Sequence, residues 1–328
     1  MNSPSSIAIK TTALARTYRS YEKNPGFWGS LQGFWKRKYV EKLALTPTDL
    51  EIEPGQIIGL VGANGAGKTT LIKVLSGLIV PTSGEAKVLG YTPWERDHRY
   101  LKQMSVLLGQ KNQLWWDISP EDSYALLADI YDLDPIRAKQ KVYELAEMLD
   151  CKHVLKTQLR RLSLGERMKM EIIGCLLHEP KILFLDEPTI GLDIVAQSTI
   201  RKFIADYVKD KKPTILLTSH YMDDITKLAD RLLLMSKGRI VYDGTVSGFS
   251  QKSQLKQKIL FSLPEPLLHR LNLAGQEFPE GQMQFSVEVS EAELATTMNQ
   301  ITALPHITDL RLEQVDFEEV IHEFLRGQ

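Results

Sequence analysis

The stretch GANGAGKT at residues 62–69 restricts the possible folds of this chain more than any other feature. It matches the pattern G-x-x-x-x-G-K-[ST], with an apolar run typical of a buried strand before it and a run typical of a helix after it. Glycines at these positions let backbone N–H groups curl around phosphate oxygens. The order strand, glycine-rich loop, helix therefore predicts a phosphate-binding loop, and disfavours the alternative of a chance glycine-rich turn.

The same loop carries the two side chains that a nucleotide site needs. Lys68 is expected to reach the β- and γ-phosphates, and the hydroxyl of Thr69 to bind Mg²⁺. The loop and the residue after it are expected to contact the bound nucleotide along their whole length. The residues assigned to this contact are Gly62, Ala63, Asn64, Gly65, Ala66, Gly67, Lys68, Thr69 and Thr70.

An acidic pair ends the apolar run ILFLDE at residues 182–187. Asp186 is placed to hold the Mg²⁺ shell, and Glu187 to orient or deprotonate the attacking water as a general base. An acidic pair that only caps a helix before Pro188 is the alternative. The presence of the phosphate loop in the same chain favours the catalytic interpretation.

The runs KILFLDEP and PTILLTSH are continuous and apolar, as expected of strands buried on both faces of a parallel sheet. They alternate with segments of helical periodicity, which predicts an α/β fold. A chain of 328 residues is long for one domain. We expect a large domain at 1–248, with a helical subdomain at about 112–178, followed by a small domain at 249–328.

The small domain is predicted to be α+β. MQFSVEV alternates at Met283, Phe285, Val287 and Val289, which is typical of a strand. In SEAELATTMNQI, a capping box of Ser290 and Glu293 precedes an apolar helix face of Leu294, Met298 and Ile301. ITDLRLEQV is predicted to be a strand, and DFEEVIHEFLR a final helix.

Composition excludes several classes of function. The net charge of −1 gives no general affinity for nucleic acid. The two cysteines, Cys151 and Cys175, fit no metal-binding spacing and are expected to be buried free thiols. The N-terminus has no signal-peptide pattern, and no stretch approaches 18 apolar residues, so no direct membrane span is expected.

The ordered set of motifs resembles an ATP-binding cassette (ABC) ATPase over roughly residues 5 to 245. The motifs are GANGAGKT, Gln110 in VLLGQKNQLWW, LSLGE at 162–166, ILFLDE, GLD at 191–193, and TSHYMDD around His220. The tail resembles, more weakly, the C-terminal extension of ATPases that serve type-2 drug- and sodium-efflux exporters. The resemblance implies a P-loop NTPase fold of a mixed RecA-like core, an antiparallel β subdomain and a helical subdomain, with a small α+β extension.

The resemblance also implies roles for individual residues. Gln110 would contact Mg²⁺ and the attacking water, His220 would hydrogen-bond the γ-phosphate, and Tyr18 would stack on the adenine of ATP. Asp193 would lie at a contact between two subunits. The alternatives are a polar residue at a strand end for Gln110 and a histidine with its hydrogen bonds satisfied for His220. For Tyr18 the alternative is a core tyrosine, and for Asp193 a turn residue before a helix.

In this family the motif that corresponds to LSLGE at 162–166 is called the signature, and the helix it begins in one subunit faces the ATP held by the other. Ser163 and Gly165 would therefore contribute to a partner's nucleotide site, which requires a second ABC ATPase subunit. A homodimer is expected, and a heterodimer stays open. The further partners implied are integral membrane permease subunits, which would hold the chain at the cytoplasmic face of the cell membrane.

The signature departs from the family pattern at two positions, since Leu164 replaces glycine and Glu166 replaces glutamine. The negative charge of Glu166 interacts favourably with the helix dipole at a helix start but is unfavourable near ATP. Arg167 is expected to offset that charge. Ser163 and the backbone of Gly165 are expected to keep their donors for phosphate. The site is thus predicted to work, with a slow, degenerate site as the alternative.

Two aromatic segments suggest contact with a permease or membrane surface. The insert at 24–38 combines tryptophans with a basic end, and Trp115 and Trp116 follow Gln110. The alternative for the insert is an ordinary hairpin or helix packed on the sheet, and the alternative for the tryptophan pair is core packing. Rival functions are a ribosome-associated or chromosome-maintenance ABC protein, disfavoured by the single uninterrupted cassette, and a regulatory or dimerising role for the tail.

Overall fold

The computed structural model describes residues 7–21, 39–109, 112–252, 257–304, 306–314, 321 and 324. Contacts between Cα atoms divide the chain into two compact units, Met1–Gly244 and Thr245–Gln328. The first unit thus ends at Gly244, whereas the sequence analysis placed the end of the large domain at residue 248. No helix of the described residues is long and apolar enough to cross a bilayer.

The first unit contains nine described strands and seven described α-helices. The strands are β1 (Ile9–Tyr21), β2 (Tyr39–Ile52), β3 (Ile57–Val61), β4 (Ser83–Val88), β5 (Met104–Leu108), β6 (Ile182–Asp186), β7 (Thr214–Thr218), β8 (Arg231–Ser236) and β9 (Arg239–Thr245). The helices are α1 (Lys68–Leu75), α2 (His98–Leu101), α3 (Pro120–Ile130), α4 (Pro135–Met148), α5 (Leu164–Leu176), α6 (Ile194–Lys211) and α7 (Met222–Leu228).

A six-stranded sheet forms the centre of this unit, in the order β5-β6-β7-β3-β8-β9. The pairs β5–β6, β6–β7, β7–β3 and β3–β8 are parallel. Every residue of β3, β6 and β7 is buried, which explains why their sequences are continuous apolar runs rather than alternating ones. The carboxyl ends of these three strands lie at one edge of the sheet, and the predicted α/β class is confirmed.

A second sheet, β2-β1-β4, is antiparallel, and its strands share a buried core with β3 and α1. Helices α3, α4 and α5 occupy the segment that was predicted to be helical. Each begins at a side-chain cap, with Ser119, Asp134 and Ser163 as the N-cap residues. Such caps satisfy N–H groups of the first turn and fix where the helix starts.

The second unit contains α8 (Val246–Lys252), β10 (Gln257–Ser262), β11 (Leu271–Leu273), β12 (Gln276–Phe278), β13 (Gln284–Val289), α9 (Glu291–Thr302) and β14 (Asp309–Gln314). Its main sheet is antiparallel, in the order β13-β10-β14. Phe285, Val287 and Val289 alternate into the core, and the Ser290–Glu293 capping box starts α9, as predicted. Met283, in contrast, lies before the strand and is 43% exposed, so its inclusion in the strand was wrong.

The predicted apolar face of α9 packs on this core, with Ile301 fully buried and Leu294 and Met298 partly so. The predicted final helix DFEEVIHEFLR falls almost entirely outside the described residues.

In the first unit, Cys151 and Cys175 are buried free thiols, as predicted. Burial raises the pKa of each thiol to about 12, so neither is a reactive thiolate at neutral pH.

Candidate nucleotide site

The glycine-rich loop, residues 62–69, runs from the end of β3 into the first turn of α1. At Gly62, φ is 157°, and a Cβ atom there would lie 2.2 Å from the carbonyl oxygen of Met235. At Gly67, φ is 110°, and a Cβ atom would lie 2.5 Å from the carbonyl oxygen of Ala44. The neighbouring backbones therefore require glycine at both positions, and the loop is held in one shape by its surroundings.

Lys68 lies in the loop with its side chain folded back. Its Nζ donates hydrogen bonds to the carbonyl oxygens of Gly62 at 2.6 Å and Ala63 at 3.3 Å. Burial lowers the pKa of Lys68, while the nearby carboxylates of Glu187 and Asp186 act in the opposite direction. The ammonium group thus sits on the loop, within the electrostatic influence of the acidic pair.

Asp186 ends β6 and faces the start of α1. The hydroxyl of Thr69 donates to Oδ1 of Asp186 at 3.2 Å, and the hydroxyl of Thr218 donates to the same oxygen at 2.7 Å. The structure thereby brings together Thr69 and Asp186, two of the three residues predicted to hold Mg²⁺. Thr218, at the end of β7, is the first residue of the quoted motif TSHYMDD, but the sequence analysis assigned a role only to His220 in that motif.

Glu187 lies in the left-handed region of backbone conformation, with φ of 57°. Its N–H is held by the carbonyl oxygen of Thr218 at 3.1 Å and the hydroxyl of Thr218 at 3.0 Å. Gly109 approaches from β5, and a Cβ atom there would lie 2.4 Å from the carbonyl oxygen of Glu187. A glutamate held in this conformation by its surroundings is typical of a functional site.

The carboxylate of Glu187 is paired with the imidazole of His220. Oε1 of Glu187 lies 2.9 Å from Nε2 of His220, and the two side chains are 16% and 40% exposed. The pair lies beyond the carboxyl ends of β6 and β7. The structure therefore brings two residues that are distant in sequence into direct contact beside the glycine-rich loop.

Several predicted positions have other surroundings or no description. Gln110 and the insert 24–38 lie outside the described residues. Tyr18 lies in β1, where the Arg16 guanidinium covers one face of its ring at 4.8 Å from the centroid. Asp193 caps α6 by accepting the N–H of Ala196 at 2.8 Å, which a turn residue before a helix would also do. Adenine stacking and the subunit contact stay predictions.

Ser163 caps α5, and its hydroxyl is not free. A capping box joins it to Glu166, whose Oε2 accepts the Ser163 hydroxyl at 2.7 Å and the Ser163 N–H at 2.8 Å. These bonds lower the pKa of Glu166, with smaller contributions from His153 and Lys169. In this conformation Glu166 accepts both donors of Ser163, so they must be released before they can contact a partner's phosphate. The role of Ser163 in a partner's site stays a prediction.

Arg167 does not offset Glu166, contrary to the sequence expectation. Its guanidinium lies over the ring of Trp116, 4.4 Å from the centroid, and Nη2 donates to the carbonyl oxygen of Leu162 at 3.3 Å. The imidazole of His153 does approach the carboxylate, with Nε2 3.7 Å from Oε1 of Glu166, and it offsets the charge only when it is protonated. The negative charge at the start of α5 is therefore only weakly compensated.

The tryptophan pair after Gln110 is on the surface. Trp115 and Trp116 are each 42% exposed, so the alternative of core packing was wrong.

The segment before the tryptophans is tied to α5 by Glu171, which accepts the N–H of Gln113 at 3.0 and 3.1 Å and the N–H of Leu114 at 3.3 Å. Burial raises the pKa of Glu171, and these hydrogen bonds act against that rise.

Comparison with known proteins gives one family. Residues 45–190 match the family model described as ABC transporter. The daunorubicin resistance ATP-binding protein DrrA3 of Streptomyces coeruleorubidus is 33% identical over 64% of this chain and 66% of its own length. The ABC transporter ATP-binding protein all4389 of Nostoc sp. is 30% identical over 75% of this chain and 68% of its own length.

The fold is similar to that of a solved ATP-binding cassette, MJ0796, described as a dimer in a post-hydrolysis state bound to ADP and Pi. The TM-score is 0.60, at 18% identity, and the match covers 73% of this chain and 98% of that one. This likeness concerns the fold. It agrees with the two sheets and the helical segment of the first unit.

Proposed function

The chain belongs to the ATP-binding proteins of ABC transporters, and we propose that it is the ATPase subunit of an exporter, acting as a homodimer below a separate permease. The family match confirms the resemblance that the order of the motifs indicated, and it confirms that the chain is an ABC transporter ATPase. The direction of transport, the composition of the dimer and the role of each site residue belong to the proposal.

One observation carries the assignment of the catalytic site. Thr69, Asp186, Glu187 and His220 converge on the edge of the sheet from which the glycine-rich loop emerges, joined by contacts of 3.2 Å (Thr69 to Asp186) and 2.9 Å (Glu187 to His220). These residues come from the start of α1, the end of β6 and the loop after β7, which are far apart in sequence, so the fold assembles them. In an open parallel sheet, the carboxyl edge is where ligands bind.

The residues present fit a Mg²⁺ ion that accompanies ATP. Mg²⁺ prefers oxygen ligands and usually binds one or two protein groups together with substrate phosphates. The Thr69 hydroxyl and the Asp186 carboxylate supply such oxygens side by side, and Gln110 is the third residue assigned to it. When bound, the ion would neutralise charge on the phosphates.

Different residues of the chain then bind the phosphates of ATP, activate the attacking water and hold the adenine. Lys68 exchanges its bonds to loop carbonyls for bonds to the β- and γ-phosphates, and the backbone of residues 62–70 surrounds the phosphate chain. Glu187 orients the attacking water and accepts its proton. His220 contacts the γ-phosphate while it fixes the Glu187 carboxylate, and Tyr18 stacks on the adenine.

A second copy of the chain completes each site in this proposal. Within the described residues, no hydrogen bond or ion pair joins Ser163 or Gly165 to the loop 62–69. Near the start of α5, Leu164, Ile194 and Val195 are 46%, 83% and 76% exposed, an apolar surface suited to a protein contact. The MJ0796 cassette, described as a dimer, supports an assembly of two chains.

The permease contact and the export direction rest on further observations. DrrA3 is described as a resistance protein, which supports export. The exposed Trp115 and Trp116 offer an apolar contact for a cytoplasmic helix of a permease, and aromatic residues are enriched in such interfaces. The chain would then act at the cytoplasmic face of the membrane, with the permease crossing it and the insert 24–38 as an additional contact.

Glu187→Gln tests this function. The amide cannot accept a proton, so we expect hydrolysis to fall by about 10²-fold or more while ATP still binds. Because the γ-phosphate would persist, the variant should run as a dimer in size-exclusion chromatography with ATP and as a monomer without it. Glu144→Gln, an exposed position on α4, is the matched control. Wild-type hydrolysis by Glu187→Gln would refute the assignment.

A further inference from the structure

We propose that Asp224 is a positioning residue that sets the geometry of the Glu187–His220 pair. The inference rests on the proposed function, because it concerns how the catalytic groups are held. Asp224 lies on α7 and contacts neither Glu187 nor His220 in the hydrogen bonds and ion pairs of the described residues. It acts through the loops that carry them.

The Asp224 carboxylate is 1% exposed and fully occupied by protein donors. Its Oδ2 accepts the hydroxyl of Thr189 and the hydroxyl of Ser219, the latter at 2.6 Å. Its Oδ1 accepts Nε of Arg201 at 2.9 Å. A buried charge is retained in a protein when it is paired and hydrogen-bonded in this way, and it becomes costly when one partner is removed.

The positions of these donors give the carboxylate its role. Thr189 lies two residues after Glu187, and Ser219 immediately precedes His220. One oxygen of Asp224 therefore joins the loop after β6 to the loop after β7. The Ser219 hydroxyl also accepts the N–H of Tyr221 at 3.0 Å, so the loop is held on both sides of His220.

Arg201 fixes this junction to the body of the unit. It extends from α6, its side chain is only 13% exposed, and its Nη1 also lies 3.2 Å from Oδ2 of Asp223. Asp223 differs from Asp224 in one decisive way. Its carboxylate is 61% exposed and pairs with Arg201 and Lys227, without contact to either catalytic loop.

Removal of the Asp224 charge should therefore change the distance between Glu187 and His220. An asparagine has a single acceptor oxygen. If that oxygen keeps the Thr189 and Ser219 hydroxyls, the NH₂ group faces the Arg201 guanidinium, which cannot accept; if it keeps Arg201, both hydroxyls must accept instead of donate. Either arrangement weakens the anchor shared by the two loops, and a displacement on the order of 1 Å in a catalytic group costs about 10²-fold in rate. Among the hydrogen bonds and ion pairs of the described residues, none joins Asp224 to the glycine-rich loop, so ATP affinity should stay unchanged.

The test compares Asp224→Asn with Asp223→Asn, which makes the same chemical change at the neighbouring residue. We expect Asp224→Asn to lower kcat by about 10- to 100-fold, with ATP affinity within about twofold of wild type, and Asp223→Asn to leave both nearly unchanged. Ser219→Ala removes one loop contact and keeps the Asp224–Arg201 pair, so it serves if Asp224→Asn does not fold. It should lower kcat in the same direction.

A double variant separates positioning from general damage. If Asp224 acts through Glu187, Asp224→Asn should lower the residual rate of Glu187→Gln by less than about threefold, because the group it positions is already disabled. An equal loss in both backgrounds would overturn the proposal, as would wild-type kcat in both Asp224→Asn and Ser219→Ala. A normal rate in Glu187→Gln alone would instead refute the proposed function.

Discussion

The imidazole of His220 lies 2.9 Å from the carboxylate of Glu187, although 32 other residues separate the two along the chain. The glutamate backbone is in the left-handed region, and Thr218 holds its N–H. The two catalytic candidates are therefore oriented by each other and by the sheet edge. Loss of either should affect the chemical step more than the binding of ATP.

His220→Ala should lower kcat by about 10²-fold, because the Glu187 carboxylate loses the partner that orients it and the γ-phosphate loses a donor. The ATP dissociation constant should change by less. Steady-state hydrolysis and equilibrium binding of a fluorescent ATP analogue measure the two effects. His98→Ala, at an exposed position, provides the control. Equal losses in binding and kcat would contradict the assigned role.

Lys68→Ala should weaken ATP binding by about 10- to 100-fold, since a charge-assisted contact to phosphate is lost. Lys73→Ala removes the same group five residues later on α1 and should have little effect. Equilibrium dialysis with labelled ATP compares the two variants. A similar change in both would show that general charge, rather than the position of Lys68, governs affinity.

The central site could be predicted because its signals are local. The loop 62–69 is continuous in sequence, and Asp186 and Glu187 directly end a buried strand. Parallel strands place their carboxyl ends at one edge, so the sequence also indicated that these residues meet. The order of the six motifs then allowed the family and the fold to be predicted.

The supporting residues could not be predicted, because each depends on contacts between distant segments. Thr218 and Asp224 begin and end the motif TSHYMDD, and Glu171 lies within a helix, but only the folded chain shows what these three residues hold. The Ser163–Glu166 capping box is different. Its spacing S-x-x-E is visible in the sequence, yet the family pattern led us to expect free phosphate donors there.

Glu166→Gln should make ATP-driven closure easier, because a carboxylate near the arriving phosphate is removed. We expect the ATP concentration for half-maximal hydrolysis to fall about two- to fivefold, the effect of a repulsion of roughly 0.5–1 kcal/mol across a solvent-screened site. Glu144→Gln is again the control. An unchanged or higher ATP requirement would show that the carboxylate does not oppose the phosphate.

The same substitution should weaken the cap of α5 in a pH-dependent way. The folded pKa of Glu166 lies below its ordinary value of 4.5, so its stabilising effect is present above pH 4.5 and is lost as pH falls through the folded pKa. Glu166→Gln should cost at most about 1 kcal/mol near neutral pH. Urea unfolding at several pH values should show this difference shrinking below pH 4.5.

Glu171→Ala should loosen the segment that leads to the exposed tryptophans. The N–H groups of Gln113 and Leu114 would lose their acceptor, which costs about 1–3 kcal/mol of unfolding free energy for buried donors. Glu171→Gln keeps one acceptor oxygen and should cost less. Urea unfolding measures both. If Glu171→Ala is as stable as wild type, the carboxylate does not hold this segment.

The most direct test of the two-chain site mixes two inactive variants. Lys68→Ala damages the chain's own phosphate loop, and Ser163→Arg damages the half-site offered to the partner. In a head-to-tail pair of one chain of each kind, one complete site remains, from the loop of the Ser163→Arg chain and the α5 start of the Lys68→Ala chain.

Hydrolysis is measured for each variant alone and for the refolded mixture, with different tags used to verify that mixed dimers form. Each variant alone should be nearly inactive. Random pairing should restore about a quarter of the wild-type rate if the two sites act independently. Mixed dimers that hydrolyse ATP no faster than the two variants alone would contradict a site shared between two chains.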